Sequence, residues 1–175
     1  MNGVGDLQTE RLSLRRPKTT DIAAIFAIHN DPQACAHNPS DALTTPNQAE
    51  GLFQRWDEHW QHYGFGYWVV RHQASEAQLG FCGLKSMEMN NRRILNLFYR
   101  LAPTSWGNGI ATEAAKAVVT WATARLSDLP IIARVRPNNI ASQRVATRAG
   151  LVRREHLDCE GFDGFDWIYA STWSD

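Results

Sequence analysis

Two glycines one residue apart, Gly107 and Gly109, stand directly before a run of helical periodicity in which Ile110, Ala114, Val118, Trp121 and Ala122 share one face. Before them, the strand-like segment Asn96 to Leu101 leads in through Ala102-Pro103-Thr104-Ser105. Glycines at a helix entrance let the backbone turn sharply and bring several unpaired N–H groups toward one point, where the helix dipole also favours negative charge. A phosphate-bearing ligand suits such a loop. A nucleotide P-loop is excluded, because no Gly-Lys-Ser/Thr follows at the required spacing. A dinucleotide fingerprint would want Gly or Ala where Thr112 stands, and a βαβ unit beside it. A connector with no ligand remains open at this point.

Composition narrows the classes of function. At 175 residues one domain, 1–175, is expected, large enough to bury about 70% of its unfolded surface. Lys plus Arg equals Asp plus Glu at 18 each, so no global field recruits nucleic acid or a membrane. Cys35, Cys82 and Cys159 show no paired spacing, which argues for a reducing, cytoplasmic compartment and against a disulfide framework or zinc site. His59 and His62 lie three apart on an expected helix without a second ligand pair, and no metal is expected. The first residues are polar and no apolar run approaches a membrane span.

Leu12 and Leu14 alternate with polar neighbours as in a strand with one buried face. Thr20-Asp21 offers an N-cap to a helix carrying Ile22, Ile25 and Phe26, closed by Asn30-Asp31-Pro32. Thr45, Pro46 and Gln48 form a capping box for a helix whose Ala49, Leu52, Phe53, Trp56, Trp60 and Tyr63 recur at helical spacing before Gly64 ends it. Three antiparallel strands are expected at Tyr67 to Arg71, Gln78 to Lys85 and Ile94 to Leu101, with turns at Gln73-Ala74-Ser75-Glu76 and Asn90-Asn91-Arg92-Arg93. In the third, Leu95, Leu97, Tyr99 and Leu101 face one way and Asn96, Phe98 and Arg100 the other. A strand from Ile131 to Arg136 follows the loop helix. Pro137-Asn138-Asn139 then opens a helix with Ala141, Val145 and Ala149 on one side and Gly150 at its end. Leu151 to His156 reads as strand, Asp158-Cys159-Glu160-Gly161 as a solvated loop, and Phe165 to Trp173 as a hairpin. The order gives a mixed α/β (α+β) fold with a mainly antiparallel sheet. It does not alternate strand and helix as a dinucleotide-binding fold does.

Trp106-Gly107-Asn108-Gly109-Ile110-Ala111-Thr112-Glu113-Ala114 resembles the pyrophosphate loop of the GNAT acetyltransferases, in the RimJ/RimL-like branch that acetylates ribosomal-protein N-termini and includes many small-amine relatives. Thr9-Glu10-Arg11-Leu12-Ser13-Leu14-Arg15, Gly64-Phe65-Gly66-Tyr67-Trp68-Val69-Val70, Asn139-Ile140-Ala141-Ser142 and Ala149-Gly150-Leu151 resemble that branch in the same order, over nearly the whole chain. The resemblance implies a GNAT fold with acetyl-CoA between two splayed strands, and acetyl transfer to a primary amine by direct attack in a ternary complex. That amine would belong to a protein N-terminus or a small molecule. A non-catalytic acyl-CoA binder is the alternative, and a monomer or homodimer is expected. The implied coenzyme A contacts are Leu101, Trp106, Gly107, Asn108, Gly109, Ile110, Ala111, Thr112, Asn139 and Ser142, with the pyrophosphate held by backbone N–H groups from Trp106 to Ala111.

The branch also suggests roles for the catalytic residues. Ser142 would protonate the departing thiolate, since Ala146 replaces the tyrosine that many acetyltransferases carry on this helix. Where the branch commonly has Glu, three residues before Tyr99, this chain has Asn96, and an amide cannot take a proton from an ammonium. Glu155 is the remaining candidate to bind or deprotonate the acceptor. Glu113, near a helix N-terminus, is expected as a dipole partner. The helix around Trp56 is expected to wall the acceptor side as well as fill the core.

Overall fold

In the computed structural model, which describes residues 5–75 and 77–174, β1 (Leu7–Gln8) and β2 (Leu12–Arg15) lead into α1 (Ile22–His29) and α2 (Pro46–Tyr63). The long antiparallel strands β3 (Tyr67–His72), β4 (Gln78–Met89) and β5 (Arg92–Leu101) follow. Then come α3 (Ile110–Arg125), β6 (Ile131–Val135), α4 (Ile140–Arg148), β7 (Val152–Arg153) and the hairpin of β8 (Cys159–Gly161) and β9 (Gly164–Ala170). One sheet runs in the order β1-β2-β3-β4-β5-β6-β9-β7, with β8 added to β9. Every pair is antiparallel except β5 with β6. No helix among the described residues is long and apolar enough to cross a membrane.

Local signals account for most of these elements. Thr45 has extended dihedrals and accepts the Gln48 N–H, while the Gln48 side chain reaches back to the Thr45 N–H, so the capping box forms as expected. Gly64 ends α2 in the left-handed conformation (φ 74°). Leu12 and Leu14 are fully buried and the residues between them are not. The core on one sheet face holds Leu95, Leu97, Leu101, Ile110, Ala114, Val118 and Ala122, so α3 lies over β5 by the stripe seen in sequence. On the other face α1 and α2 pack Ile25, Ala49 and Trp56 against Val69, Phe81 and Phe98.

Several expectations change. Asp21 precedes α1 but makes no side-chain cap; it is fully buried, and its carboxylate takes the Arg15 guanidinium at 2.8 Å on both oxygens, together with the Lys18 N–H and the Gln78 amide. A charge-assisted fork with a neighbouring strand outcompetes a solvent-exposed cap. The β4–β5 turn is tighter than expected: only Asn90 and Asn91 connect the strands, both at positive φ (52° and 57°), the conformation that a two-residue hairpin demands and asparagine tolerates. Glu76, in the expected β3–β4 turn, lies outside the described residues. On α4 the buried face is Ala146 and Ala149 with half-buried Ser142 and Val145, while Ala141 is exposed. The strand expected from Leu151 to His156 shortens to β7, followed by a 3-10 turn at Glu155–Leu157. Asp158-Cys159-Glu160-Gly161 is not a solvated loop. Asp158 is bound by the Arg153 fork and the Ile168 N–H, and the three residues after it form β8.

Candidate functional site

The parallel pair β5–β6 is joined only at Leu95–Ile131 and Asn96–Ile132. Beyond that register the strands part, β5 continuing to Leu101 and β6 to Val135. The gap opens toward their C-terminal ends, where β5 delivers the glycine loop and α3, and β6 delivers α4. Ligands in sheets with parallel strands favour this end, because two helix N-termini converge on it.

At the loop, Gly107 and Gly109 both take positive φ (82° and 73°). A Cβ at Gly107 would meet nothing within 4 Å, so glycine is required there by the backbone turn rather than by crowding. The first backbone hydrogen bond of α3 is Glu113 N–H to Gly109 O at 3.0 Å. The N–H groups of Gly107 to Thr112 accordingly have no backbone partner among the described residues. Trp106 departs from expectation: its N–H donates to Pro103 O at 3.1 Å and its indole N–H to Leu101 O at 3.2 Å, so it closes the loop instead of offering a donor. Leu101 is buried at the end of β5 with that carbonyl occupied.

The loop is clamped from across the sheet. Glu113 accepts from Thr9 Oγ1 (2.6 Å), the Arg11 N–H (3.0 Å) and Arg11 Nε (2.7 Å), and Arg11 Nη1 donates to Asn108 O at 2.9 Å. Burial works against the Glu113 charge, but these donors outweigh it and hold its carboxyl below the usual range. Glu113 is thus a structural anion in the first turn, as its position suggests. Its partners are about a hundred residues away in sequence, and the only signal for them is the Thr-Glu-Arg stretch before β2.

At α4, Asn139 is the N-cap, its Oδ1 accepting the Ser142 N–H at 3.1 Å, which leaves Nδ2 as a donor. Tyr99, from β5, reaches over the gap to Ser142: its hydroxyl lies 3.0 Å from Ser142 O and in contact with Ser142 Oγ. Burial raises the phenol above its ordinary pKa and the Ser142 bond only partly offsets this, so Tyr99 stays protonated. Sequence reading placed Tyr99 on the core face without assigning its hydroxyl a partner. A half-buried phenol needs one, and that requirement was the available signal.

Asn96, Tyr99, Asn139 and Ser142 all line a cleft of about 870 Å³. Its opposite wall is α2, with Arg55, Trp56, Glu58, His59, His62 and Tyr63, so the aromatic stripe serves both the core and the cleft. Ser40 closes one side by binding Asp163 of the β8–β9 turn through its N–H (2.9 Å) and Oγ (2.6 Å). Glu155 is not brought to this place. It is exposed in the 3-10 turn after β7 and lines no part of the cleft, because the chain leaves the sheet two residues after Val152. Of the two expected catalytic residues, Ser142 lines the cleft and Glu155 does not.

A family pattern described as an acetyltransferase (GNAT) domain matches residues 11–152. An uncharacterized protein of Bacillus subtilis (strain 168), YkkB, is 28% identical over 152 residues, covering 86% of this chain and 87% of its own. An acetyltransferase from Agrobacterium tumefaciens shares the fold with a TM-score of 0.81 at 24% identity, over 99% of this chain and 97% of that one. RimL, a ribosomal L7/L12 α-N-protein acetyltransferase solved with coenzyme A, shares it with a TM-score of 0.75 at 20% identity, over 94% and 96%. The glycine loop and the parted strands are thus features of a pattern that runs through most of the sequence, and the chain belongs to the GNAT family of acetyltransferases, acyltransferases whose co-substrate is acetyl-CoA.

Proposed function

We propose that the protein is an N-acetyltransferase that moves the acetyl group of acetyl-CoA to a primary amine by direct attack in a ternary complex. The residues present fit that co-substrate. The N–H groups of Gly107 to Thr112 would hold the pyrophosphate, the gap between β5 and β6 would take the pantetheine arm, and Asn139, which lines the cleft, would offer Nδ2 to it. Bound acetyl-CoA supplies an electrophilic thioester carbonyl and a sulfur leaving group. Amine attack makes the C–N bond, the C–S bond breaks, and the sulfur takes a proton. The observation that supports the reading is the Tyr99–Ser142 hydroxyl pair, which lines the cleft between β5 and α4 and offers the kind of O–H donor that the proton transfer requires. Ser142 donates it and Tyr99, held protonated, orients Ser142. Positioning supplies much of the remaining rate enhancement.

The cleft on the α2 side would hold the acceptor, either a peptide N-terminus or a small-molecule amine, and three free cysteines suit a cytoplasmic site of action. The test is release of CoA thiol across a panel of amines. Ser142→Ala is expected to lower kcat about a hundredfold and Tyr99→Phe less, with coenzyme A affinity retained. An unchanged kcat in Ser142→Ala would remove the proton-donor role. Tight coenzyme A binding with no amine raising thiol release would leave only an acyl-CoA binder.

A further inference from the structure

The acceptor side of the cleft holds an anomaly. Asn96 Oδ1 is buried, lies in a residue that lines the cleft, and has no hydrogen-bond partner among the described residues. An amide oxygen without a partner costs about 1–3 kcal/mol, so a native protein keeps one where something else donates to it. Asn96 sits at the last paired position of β5 and β6, just where the strands begin to part. It is at the apex of the gap, on the sheet face that α1 and α2 cover, and its buried oxygen is free to accept.

The charges around that point are the second observation. Lys85 on β4 is the direct cross-strand partner of Asn96, so the two side chains share a face, and both line the cleft. On β6, Arg134 and Arg136 continue the same face. Both share the single carboxylate of Asp166, at 3.0 and 3.6 Å. On β5, Arg100 is paired with Asp41 at 2.9 Å. The remaining carboxylates of the cleft are Asp163, held by Ser40, and Glu58, which accepts from Gln54 on the exposed side of α2. Among the described residues none of these carboxylates bonds to Asn96, although Asp163 and Glu58 keep their charge beside neutral donors.

The histidines of the wall do not replace one. His59 has both ring nitrogens engaged, Nδ1 with Phe65 O at 2.9 Å and Nε2 as the acceptor of the Ser86 N–H at 3.0 Å. Burial, with the charge of Lys85 nearby, lowers its pKa from the ordinary value. His29 is buried with Nδ1 on Ile25 O. His37 and His62 also line the cleft, and among the described residues neither is hydrogen-bonded to Asn96. At Asn96 itself the facing charge is that of Lys85, and among the described residues no carboxylate or imidazole is bonded to the Asn96 amide oxygen.

We propose that the acceptor is a weakly basic primary amine, already neutral at the working pH, which donates an N–H to Asn96 Oδ1; polyamines and lysine-like side chains are excluded. The inference rests on the N-acetyltransferase reading and gives it a substrate class. An amide oxygen accepts from a neutral amine as readily as a carboxylate does, but it cannot take the proton of an ammonium. The amine must therefore arrive neutral. Amines of the α-amino type, with pKa of about 8, do so in useful amounts near neutrality, and amines above about 10 do not. Asn96 acts as a positioning residue that aims the nitrogen lone pair at the thioester carbonyl in the gap. The proton lost by nitrogen after attack leaves to solvent.

The test uses the full chain with saturating acetyl-CoA and three small acceptors of rising basicity, 2,2,2-trifluoroethylamine, glycinamide and ethylamine, together with spermidine. At pH 7 glycinamide is expected to exceed ethylamine and spermidine at least tenfold in kcat/KM. For each amine the alkaline rise of kcat/KM should track that amine's own pKa. Asn96→Leu is expected to lower kcat/KM for glycinamide about tenfold with unchanged coenzyme A affinity by calorimetry. Asn96→Glu should raise ethylamine activity and add a limb near neutrality that does not move with the acceptor. Preference for ethylamine or spermidine in the wild type, a fixed limb in the wild type, or an Asn96→Leu variant equal to wild type would each overturn the proposal while leaving the N-acetyltransferase reading intact. Coenzyme A binding without transfer to any amine would refute both.

Discussion

His29 makes acid lability of this fold a quantitative expectation. It ends α1 at 2% exposure, with Nδ1 2.8 Å from Ile25 O and its ring against Trp56 and Phe81 at centroid distances of 5.8 and 6.0 Å. Burial, and then the charge of Arg100, pushes its pKa from 6.5 down to about 4. The native state therefore refuses a proton that the unfolded chain accepts across that interval. The contribution is complete above about pH 6.5 and is lost as the pH falls toward 4, at up to about 1.4 kcal/mol per pH unit and roughly 3 kcal/mol in all. His29→Gln removes the titration while keeping a hydrogen-bond donor for Ile25 O. Urea unfolding of both chains at pH 7.5, 6.5, 5.5 and 4.5 isolates the effect, because every other titrating group is common to the two. The variant should be the less stable chain at pH 7.5, by about 1 kcal/mol for an imperfectly refilled site. The difference should shrink and reverse by pH 4.5, moving by about 2–3 kcal/mol. Parallel curves for the two chains would show that His29 takes up its proton alike in the native and unfolded states, and would refute the account of its burial.

Two further outcomes follow from other parts of the molecule. Gly109→Val puts a β-branched side chain at φ 73°, so it should weaken coenzyme A binding at least tenfold by calorimetry and lower stability by about 1–2 kcal/mol; a folded variant with unchanged affinity would take the loop out of the site. Asp21→Ala strips the Arg15 fork of its buried carboxylate and should cost about 3–5 kcal/mol in urea unfolding at pH 7. A loss below 1 kcal/mol would mean that the residue is only a helix cap.

What the sequence alone determined is whatever a few neighbouring residues settle among themselves. Thr45, Pro46, Gln48 and Gly64 define α2 at both ends because capping is a contest between adjacent backbone groups and side chains. Gly107 and Gly109 announced a backbone turn before a helix because few other residues accept those dihedrals. The alternation of Leu12 and Leu14 and the stripe of α3 gave the buried faces for the same local reason. Similar logic misled at Asp21, whose position suits a cap but whose carboxylate is claimed by Arg15 and Gln78. At Glu155 the family resemblance suggested a site residue, and the early end of β7 leaves it exposed in the 3-10 turn.

The tertiary structure decided everything that depends on which strands become neighbours. Pairing of β5 with β6 at just two positions opens the gap, and no pattern within either strand encodes where the pairing stops. The Tyr99–Ser142 contact spans 43 residues and the Glu113–Thr9 contact 104. Asn96 reads in sequence only as a missing base. Its unpartnered oxygen, with Lys85 directly opposite, exists only once the strands of the sheet and the helices over it converge. Such contacts require closing long loops, so their formation rests on the packing of the whole sheet rather than on any local preference.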